Sequence, residues 1–403
     1  MKTTGSDHSI DRFSRQLLEY IRNTSSDSRL GEATENAFLA VPRHLFVRRY
    51  RQWGTRDWHE VGDNNLQEHL ATIYADRPLC LFGDDDDNPV STISQPSFVL
   101  RMLDMLQLRP GQIVLELGAG SGWNAALIGY LVGPPGHVYS VEIIPDLAAM
   151  AAENVNAAGL HNVTIVAGEG GEGYAEGGPY DRAVFTAGSY DLPSHFYKQM
   201  KEEGLLLLVV KSEGGGDNLF LLQKKVDHFE SIASMPCGFV QLRGKYELSN
   251  LEPGPVEELA GWSGLGGQEV CRVPFWWGWK GNDSLVWRTL GFRCFLSITE
   301  PLFRTFKEVK SAERPLGEYY FGLWDQDRHS LALAKGDSLI GYGNSYALDR
   351  LRLRIREWVD LGMPSGASFT LHLYPADVPL TPGPNQWIVK RRESQFLWSL
   401  PRT

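Results

Sequence analysis

The N-terminal part of the chain alternates apolar and polar positions with the period of a helix. Over residues 8–22 apolar side chains recur every three or four positions, at Ile10, Phe13, Leu17, Leu18 and Ile21. This spacing predicts an amphipathic helix. A second helical segment over 32–47 contains Pro42, which should end or bend it. Residues 48–90 show no clear period, so we predict that they are irregular and lie on the surface.

Between residues 97 and 215 the pattern becomes an alternation of helices and short buried strands. Helices are predicted over 97–106, 124–132 and 147–158, and strands over 112–117, 137–142, 163–167, 182–186 and 204–210. Such an alternation indicates an α/β fold with a doubly wound, mostly parallel, Rossmann-like sheet. Sheets of this kind bind ligands beyond the C-terminal ends of their strands. We therefore expect the site near residues 118, 142, 169 and 187.

The pattern changes again after Tyr246. A run containing Pro and Gly over 251–255 is typical of a domain boundary. Beyond it, strands are predicted at 269–274, 318–324, 331–334, 368–374 and 386–399. The segment 346–361 is predicted to be a helix, because it carries an apolar stripe of Leu348, Leu351, Ile355 and Trp358.

These patterns together predict three domains. The first is a helical arm with an irregular lid over 1–90, and the second is the ligand-binding α/β domain over 91–245. The third is an α+β domain over 250–403, for which we expect a role in substrate recognition or homodimerisation.

The charge and composition of the chain mainly exclude classes of protein and kinds of site. The 403 residues include 39 Lys and Arg against 49 Asp and Glu, so the formal charge of −10 disfavours a nucleic-acid partner. The longest aliphatic run, over 205–210, is much shorter than the roughly 20 residues that cross a bilayer. No membrane span is expected, and the polar N-terminus lacks a secretion signal, so we predict a cytoplasmic protein. The four Cys residues are scattered and predict no metal site.

A glycine-rich turn follows the strand predicted over 112–117. From Glu116 to Trp123 the chain reads Glu-Leu-Gly-Ala-Gly-Ser-Gly-Trp. A dinucleotide fingerprint would need a small residue at the position of Trp123, and a phosphate-binding loop would need Gly-Lys-Ser/Thr. A second acid, Glu142, ends the next strand, where a ribose would be held. The alternative is that the two acids are only solvated strand ends, but their joint placement favours a cationic, phosphate-free nucleoside such as S-adenosyl-L-methionine.

Five stretches in chain order carry a resemblance to a known family. They are VPRHLF at 41–46, STISQP at 91–96, VLELGAGSGWNAA at 114–126, GEG at 168–170 with GPYD at 178–181, and GFVQL at 238–242. The chain resembles the protein-L-isoaspartate (D-aspartate) O-methyltransferases, and the motif at 91–96 is the most specific part of the match. The resemblance implies that 91–245 is a class I methyltransferase domain that uses S-adenosyl-L-methionine and releases S-adenosyl-L-homocysteine.

The resemblance also implies which residues form the site. The cofactor would contact Glu116, Gly118, Ala119, Gly120, Ser121, Gly122, Asn124, Glu142, Ile143, Gly168, Glu169, Gly170 and Thr186. Ser94, with Thr92 and Ser91 as secondary candidates, would orient the acceptor carboxylate on a loop that leads into the next helix. The alternative role for Ser94 is to cap that helix. A carboxylate is already ionised at neutral pH, so its methylation needs positioning more than a strong base.

Three departures from the family are visible. Glu169 stands where the family usually has Asp, and four consecutive Asp residues at 84–87 replace a short glycine-containing link. Residues 246–403 have no counterpart in the housekeeping repair enzyme, and resemble the extension of enzymes associated with lanthipeptide and graspetide biosynthesis. Those enzymes methylate an aspartate of a modified, ribosomally made peptide, and the ester collapses to aspartimide or isoaspartate.

Three functions are consistent with these observations. The first is methylation of an aspartate in such a modified peptide, and the second is general repair of isoaspartyl proteins. The third is a non-catalytic peptide-binding protein that keeps the cofactor fold.

The aromatic cluster at 275–279 is expected to be core or an interface with a partner.

Overall fold

The structure is a computed structural model. It describes residues 5–24, 29–83, 89–213, 216–248, 253–265, 269–274, 289–307 and 319–401. The acidic run at 84–87 and the aromatic cluster at 275–279 lie outside these residues.

Each predicted helix has a counterpart among the described helices, and four further described helices were not predicted. In chain order they are α1 (Gly5–Thr24), α2 (Glu32–Ala40), α3 (Leu66–Ile73), α4 (Pro96–Leu106), α5 (Trp123–Val132), α6 (Pro145–Ala157), α7 (Phe196–Gln199), α8 (Trp262–Leu265), α9 (Leu290–Thr299) and α10 (Tyr346–Asp360). Pro42 ends the second predicted helix as expected, and a 3₁₀ turn over Arg43–Phe46 follows it. On α10, the side chains of Leu348, Leu351 and Trp358 are buried, which confirms the apolar stripe.

The strands are more numerous than the sequence pattern suggested. In chain order they are β1 (Arg49–Gln52), β2 (Trp58–Glu60), β3 (Leu79–Gly83), β4 (Pro89–Ile93), β5 (Ile113–Leu117), β6 (His137–Glu142), β7 (Val163–Ala167), β8 (Tyr180–Phe185), β9 (Met200–Val210), β10 (Asp217–Lys224), β11 (Phe229–Cys237), β12 (Glu269–Pro274), β13 (Phe303–Lys307), β14 (Tyr319–Asp325), β15 (Ser330–Lys335), β16 (Ser338–Tyr342), β17 (Thr370–Pro375), β18 (Gln386–Lys390) and β19 (Ser394–Ser399).

A ten-stranded sheet forms the centre of the molecule, in the order β18-β19-β17-β11-β10-β9-β8-β5-β6-β7. The strands β9, β8, β5, β6 and β7 pair in parallel, which confirms the predicted α/β core. The other pairings in this sheet are antiparallel, so the sheet as a whole is mixed and its parallel character is confined to this half.

The C-terminal segment contributes strands to this same sheet. β17 pairs with β11 through Phe229 opposite Leu373, so the sheet continues across the boundary expected near residue 250. A second, five-stranded antiparallel sheet, β12-β16-β15-β14-β13, accounts for the remaining strands of the extension, and α10 packs on it. The α+β element content of the extension matches the expectation, but the extension shares a sheet with the preceding part of the chain.

The prediction that 48–90 is irregular is wrong. This segment contains β1, β2, β3 and α3, and with β4 it forms a four-stranded antiparallel sheet in the order β2-β1-β3-β4. These strands are short, and polar side chains such as Arg51 are buried beside Tyr50, so no clean alternation of apolar and polar residues appears in the sequence.

Burial on both faces explains the uninterrupted aliphatic run in β9. Leu205, Leu207 and Val209 belong to a core that includes the N-terminal helices. Leu206, Leu208 and Val210 point to the other face, where the core includes Phe292 and Phe295 of α9. A central strand therefore needs apolar residues at every position.

Candidate functional site

The glycine-rich turn lies where β5 ends and α5 begins. Gly118, Gly120 and Gly122 all have positive φ, at +92°, +54° and +86°. A Cβ on Gly118 would approach Thr186 Oγ1 to 2.5 Å, and one on Gly122 would approach Val155 Cγ2 to 2.9 Å. The Thr186 hydroxyl lies 2.7 Å from the Leu117 carbonyl oxygen and 2.6 Å from that of Gly118, so it holds the turn against β8. Glycine is therefore required at this turn.

Glu116 lies beneath this turn and is completely buried. Its carboxylate accepts hydrogen bonds from Asn124 Nδ2 at 2.7 Å and from Ser140 Oγ at 2.5 Å. Burial raises the pKa of Glu116 to about 7, against the opposing effect of these two donors. The Oδ1 atom of Asn124 is also buried and has no hydrogen-bond partner in the described structure. A ligand donor, such as an ammonium group, would satisfy it.

Glu142 ends β6 and faces the same space. Its carboxylate accepts hydrogen bonds from the backbone N–H of Gly120 at 2.9 Å and of Ile144 at 3.1 Å. Burial raises the pKa of Glu142, and these backbone donors act in the opposite direction. Each oxygen keeps a further lone pair, so the carboxylate is suited to accept hydrogen bonds from the two hydroxyls of a ribose.

The predicted residues gather around one cleft at the C-terminal ends of β5, β6 and β8. Those that line it are Ser91, Thr92, Ser94, Glu116, Gly118, Ala119, Gly120, Ser121, Asn124, Glu142, Ile143, Gly170 and Thr186. Gly122, Gly168 and Glu169 do not line it. Gly122 instead permits close packing of α5 on α6, and Gly168 donates its backbone N–H to the Glu142 carbonyl oxygen at 2.9 Å. We call this space the cofactor cleft.

Glu169 is not among the residues that line the cofactor cleft. Its carboxylate accepts hydrogen bonds from the backbone N–H of Gly171 at 3.3 Å and of Lys245 at 2.8 Å. Gly244, at φ +92°, lies so close that an added Cβ would come within 2.2 Å of Glu169 Oε2. In the described structure Glu169 therefore fixes the segment that leads out of the methyltransferase part.

Ser91 and Thr92 lie in strand β4, not on a loop as predicted, and Ser94 follows directly after the strand. The alternative role for Ser94 as a helix cap is wrong. α4 begins at Pro96, and it is Asp76 that accepts a hydrogen bond from the backbone N–H of Ser97, at 2.9 Å. No capping hydrogen bond to α4 therefore occupies the Ser94 hydroxyl in the described structure, and the residue lines the cleft.

Arg43 holds the backbone at Ser94, a role that sequence reasoning missed. The guanidinium is fully buried and donates hydrogen bonds to the carbonyl oxygens of Ser94 at 2.6 Å, Arg77 at 3.2 Å and Ile93 at 3.4 Å. It also lies 4.8 Å from the ring centroid of Trp123. Burial lowers the pKa of Arg43 to about 9. The only sequence signal was its place in the matched stretch at 41–46.

A second cleft adjoins the cofactor cleft. The second cleft has a volume of about 930 Å³, whereas the cofactor cleft has a volume of only about 100 Å³. The walls of this second cleft are largely apolar and include Trp53, Phe98, Pro236, Cys237 and Phe239. Thr92, Ser94 and Val240 line both clefts. We call this second space the wide cleft.

The segment over residues 240–243 also lines the cofactor cleft and was not predicted to do so. The backbone of Gly188 holds it through two hydrogen bonds of 2.7 Å, one to Val240 and one to Leu242. The matched stretch at 238–242 was the available signal, although no role was assigned to its side chains.

Comparison with known proteins places this site in a family. The family model described as "Protein-L-isoaspartate(D-aspartate) O-methyltransferase (PCMT)" matches residues 14–247, more than half of the chain. The chain belongs to this family. It is therefore an S-adenosyl-L-methionine-dependent protein carboxyl methyltransferase, and the two acids and the glycine turn are chemically suited to that cofactor.

Two individual relatives carry names that agree with the description of the family model. A protein-L-isoaspartate O-methyltransferase of Ignicoccus hospitalis is 35% identical over 225 residues, covering 56% of this chain and 95% of the relative. One of Methanothrix thermoacetophila is 36% identical over 231 residues, covering 57% and 95%. The similarity to both relatives thus involves only part of this chain.

A solved structure titled protein-L-isoaspartate O-methyltransferase shares the fold, with a TM-score of 0.52 and 22% identity. The superposition covers 89% of this chain and 96% of that one, which is more than residues 1–247 could supply. The likeness in fold to this structure therefore extends beyond residue 247, whereas the sequence similarity to the two relatives covers 56% and 57% of this chain.

No helix among the described residues is both long enough and apolar enough to span a bilayer. The same part of the chain holds no group of three or more His, Cys, Asp or Glu side chains placed to bind a metal ion.

Proposed function

We propose that this enzyme methyl-esterifies an aspartyl or isoaspartyl carboxylate in a peptide that occupies the wide cleft, and that a constrained, previously modified ribosomal peptide is the preferred substrate. One observation carries the proposal: Thr92, Ser94 and Val240 line both clefts. A carboxylate that enters from the wide cleft therefore reaches the cofactor cleft at a pair of hydroxyl side chains.

The chemistry requires positioning rather than proton removal. When bound, S-adenosyl-L-methionine would supply the methyl group on its sulfonium sulfur. The acceptor oxygen would form the new C–O bond, and the sulfur would keep the electrons of the S–C bond that breaks. The acceptor is already ionised at neutral pH. Ser94 and Thr92 donate hydrogen bonds that orient the carboxylate without a full countercharge, and Arg43 fixes the backbone that carries Ser94. The resulting ester can then lose methanol when the adjacent backbone nitrogen attacks its carbonyl carbon, which yields aspartimide.

The breadth of the wide cleft supports a bulky or cyclic peptide over a single extended strand. Its volume is about 930 Å³, and Trp53 at its edge is 64% exposed. An exposed Trp beside an apolar cleft is suited to anchor a peptide. We propose in addition that the C-terminal extension recognises the peptide or forms a homodimer.

General repair of linear isoaspartyl peptides is the second candidate. It is favoured by the names of the relatives, all described as protein-L-isoaspartate O-methyltransferases, and by the solved structure whose superposition extends beyond residue 247.

One substrate panel separates the two candidates. A linear isoaspartyl peptide, its linear aspartyl isomer and a macrolactam-cyclised aspartyl peptide of the same sequence are compared by kcat/KM, with methyl incorporation followed by mass spectrometry. The proposal expects the cyclised aspartyl peptide to be the best substrate. A linear isoaspartyl peptide that is methylated faster than the cyclised one would instead assign the enzyme to repair.

A variant tests the peptide site itself. Trp53→Ala should raise KM for the best peptide without changing the affinity for S-adenosyl-L-methionine. Tyr130→Ala, which removes another exposed aromatic residue outside both clefts, serves as the matched control.

A further inference from the structure

Gln241, a residue of the cofactor cleft, carries a side-chain hydrogen-bond donor that is not used in the described structure. Its Nε2 atom is buried and has no hydrogen-bond partner in the described structure, although the residue lines the cleft. A buried amide donor without a partner costs about 1–3 kcal/mol, so a donor retained in a ligand cleft indicates a partner supplied by the ligand.

The backbone on both sides of Gln241 is fixed. The N–H of Gly188 donates to the Val240 carbonyl oxygen, and the N–H of Leu242 donates to the Gly188 carbonyl oxygen, each at 2.7 Å. Leu242 is buried and belongs to the core that contains Phe292 and Phe295. Because neighbouring residues of an extended segment point in opposite directions, this anchoring turns the Gln241 side chain away from the core. The backbone that carries the amide is therefore held in place before any ligand arrives.

The position of Gln241 identifies the ligand group. Val240, the preceding residue, lines both clefts, whereas Gln241 lines only the cofactor cleft. Gln241 thus lies beside the junction where the acceptor would meet the methyl donor, and Ser94 lines the same junction. The methionine end of the cofactor is expected instead at the glycine turn, near Glu116 and Asn124.

We infer that Gln241 is a specificity-determining residue whose side-chain amide donates a hydrogen bond to the acceptor carboxylate. This inference rests on the proposed function and names a residue that distinguishes the anionic acceptor from its neutral ester. The amide is uncharged, so it orients the carboxylate without strongly stabilising the negative charge that makes the oxygen nucleophilic.

The test compares Gln241→Leu, Gln241→Glu and the control Gln223→Leu, which removes an amide on β10 outside both clefts. With the best peptide of the panel, Gln241→Leu should lower kcat/KM by about tenfold or more, and leave the Kd of S-adenosyl-L-methionine within about twofold of wild type. Gln241→Glu should lower kcat/KM further, because two carboxylates would face each other. Its affinity for the methyl-ester product should fall less than its affinity for the acceptor.

Two results would overturn the inference while leaving the proposed function intact. In the first, the wild-type enzyme methylates the peptide and Gln241→Leu does so equally well. In the second, Gln241→Leu loses affinity for the cofactor and not for the peptide, which would assign the amide to the cofactor's own carboxylate. A wild-type enzyme that methylates none of the peptides would count against the proposed function itself.

Discussion

The guanidinium of Arg43 donates a hydrogen bond of 2.6 Å to the backbone carbonyl oxygen of Ser94, although 50 residues separate them in the chain. The guanidinium is completely buried, and its remaining hydrogen bonds go to neighbouring carbonyl oxygens of the same region. The position of the proposed acceptor-orienting hydroxyl thus depends on a residue from the N-terminal arm.

Arg43→Lys should reduce turnover while preserving most of the affinity for the cofactor. A lysine keeps the charge but cannot reproduce the planar set of donors that reaches three carbonyl oxygens. We expect a loss of about 1–3 kcal/mol in the free energy of unfolding, because buried carbonyls lose their donors. Chemical denaturation gives the stability, and kcat measured well below the melting temperature separates the positioning effect from unfolding.

Ser94→Ala should retain cofactor binding and lose turnover. Ser94 lines both clefts but makes no capping bond to α4, so its hydroxyl is not needed for the fold described here. The loss expected for one hydrogen bond to a charged group is about 1.5–3 kcal/mol in kcat/KM. Titration calorimetry with S-adenosyl-L-homocysteine and steady-state kinetics give the two quantities. Normal turnover by this variant would show that the acceptor lies elsewhere.

Glu142→Ala should weaken cofactor binding by about 1.5–3 kcal/mol, the range for hydrogen bonds to a charged group. The same substitution also leaves the backbone N–H of Gly120 without its acceptor. Glu142→Gln is the informative companion, because its amide oxygen can still accept that bond. If Gln restores the melting temperature but not the cofactor affinity, the carboxylate itself binds the ligand.

Glu116 predicts a pH dependence of stability. Burial raises its pKa from 4.5 to about 7 in the folded chain, so folding takes up a proton between these values. The contribution of this group to the free energy of unfolding should therefore fall as the pH rises from about 4.5 to about 7, and stay constant at higher pH. Glu116→Gln cannot titrate, so its denaturation midpoint should depend less on pH over this interval. An identical slope in both proteins would exclude Glu116 as the source.

Removing residues 250–403 should destabilise the rest of the chain rather than release an independent domain. β17 pairs with β11, and the Phe220 and Trp398 rings, one from each part, pack with centroids 5.7 Å apart. Asp191 also accepts a hydrogen bond from the backbone N–H of Glu393 at 2.8 Å. We expect the truncated chain to aggregate or to melt well below the full chain in calorimetry. A truncated chain with an unchanged melting temperature would show that the shared sheet contributes little.

Local sequence patterns determined the parallel core and most of the cofactor cleft. The strands β5 and β6, and the turn between β5 and α5, carry strong local signals, since buried strands are continuous apolar runs and a sharp turn needs glycine. The strands β1 and β2 gave no such signal, because they are only four and three residues long and β1 buries the polar Arg51 beside Tyr50. Residues 251–255 suggested a boundary, although composition does not reveal strand pairing across it.

Only the tertiary structure decided how distant side chains serve the site. Nothing near Glu169 in sequence indicates that its carboxylate binds the backbone of Lys245, and nothing near Arg43 indicates that it holds Ser94. Tertiary packing determines the hydrogen-bond partners of these side chains, because a buried polar group must bind a complementary group that packing brings within hydrogen-bond distance. Local sequence motifs therefore determine the chemistry of the cofactor cleft. The placement of the acceptor hydroxyls and the pairing of the extension with the sheet depend instead on contacts between residues that are distant in sequence.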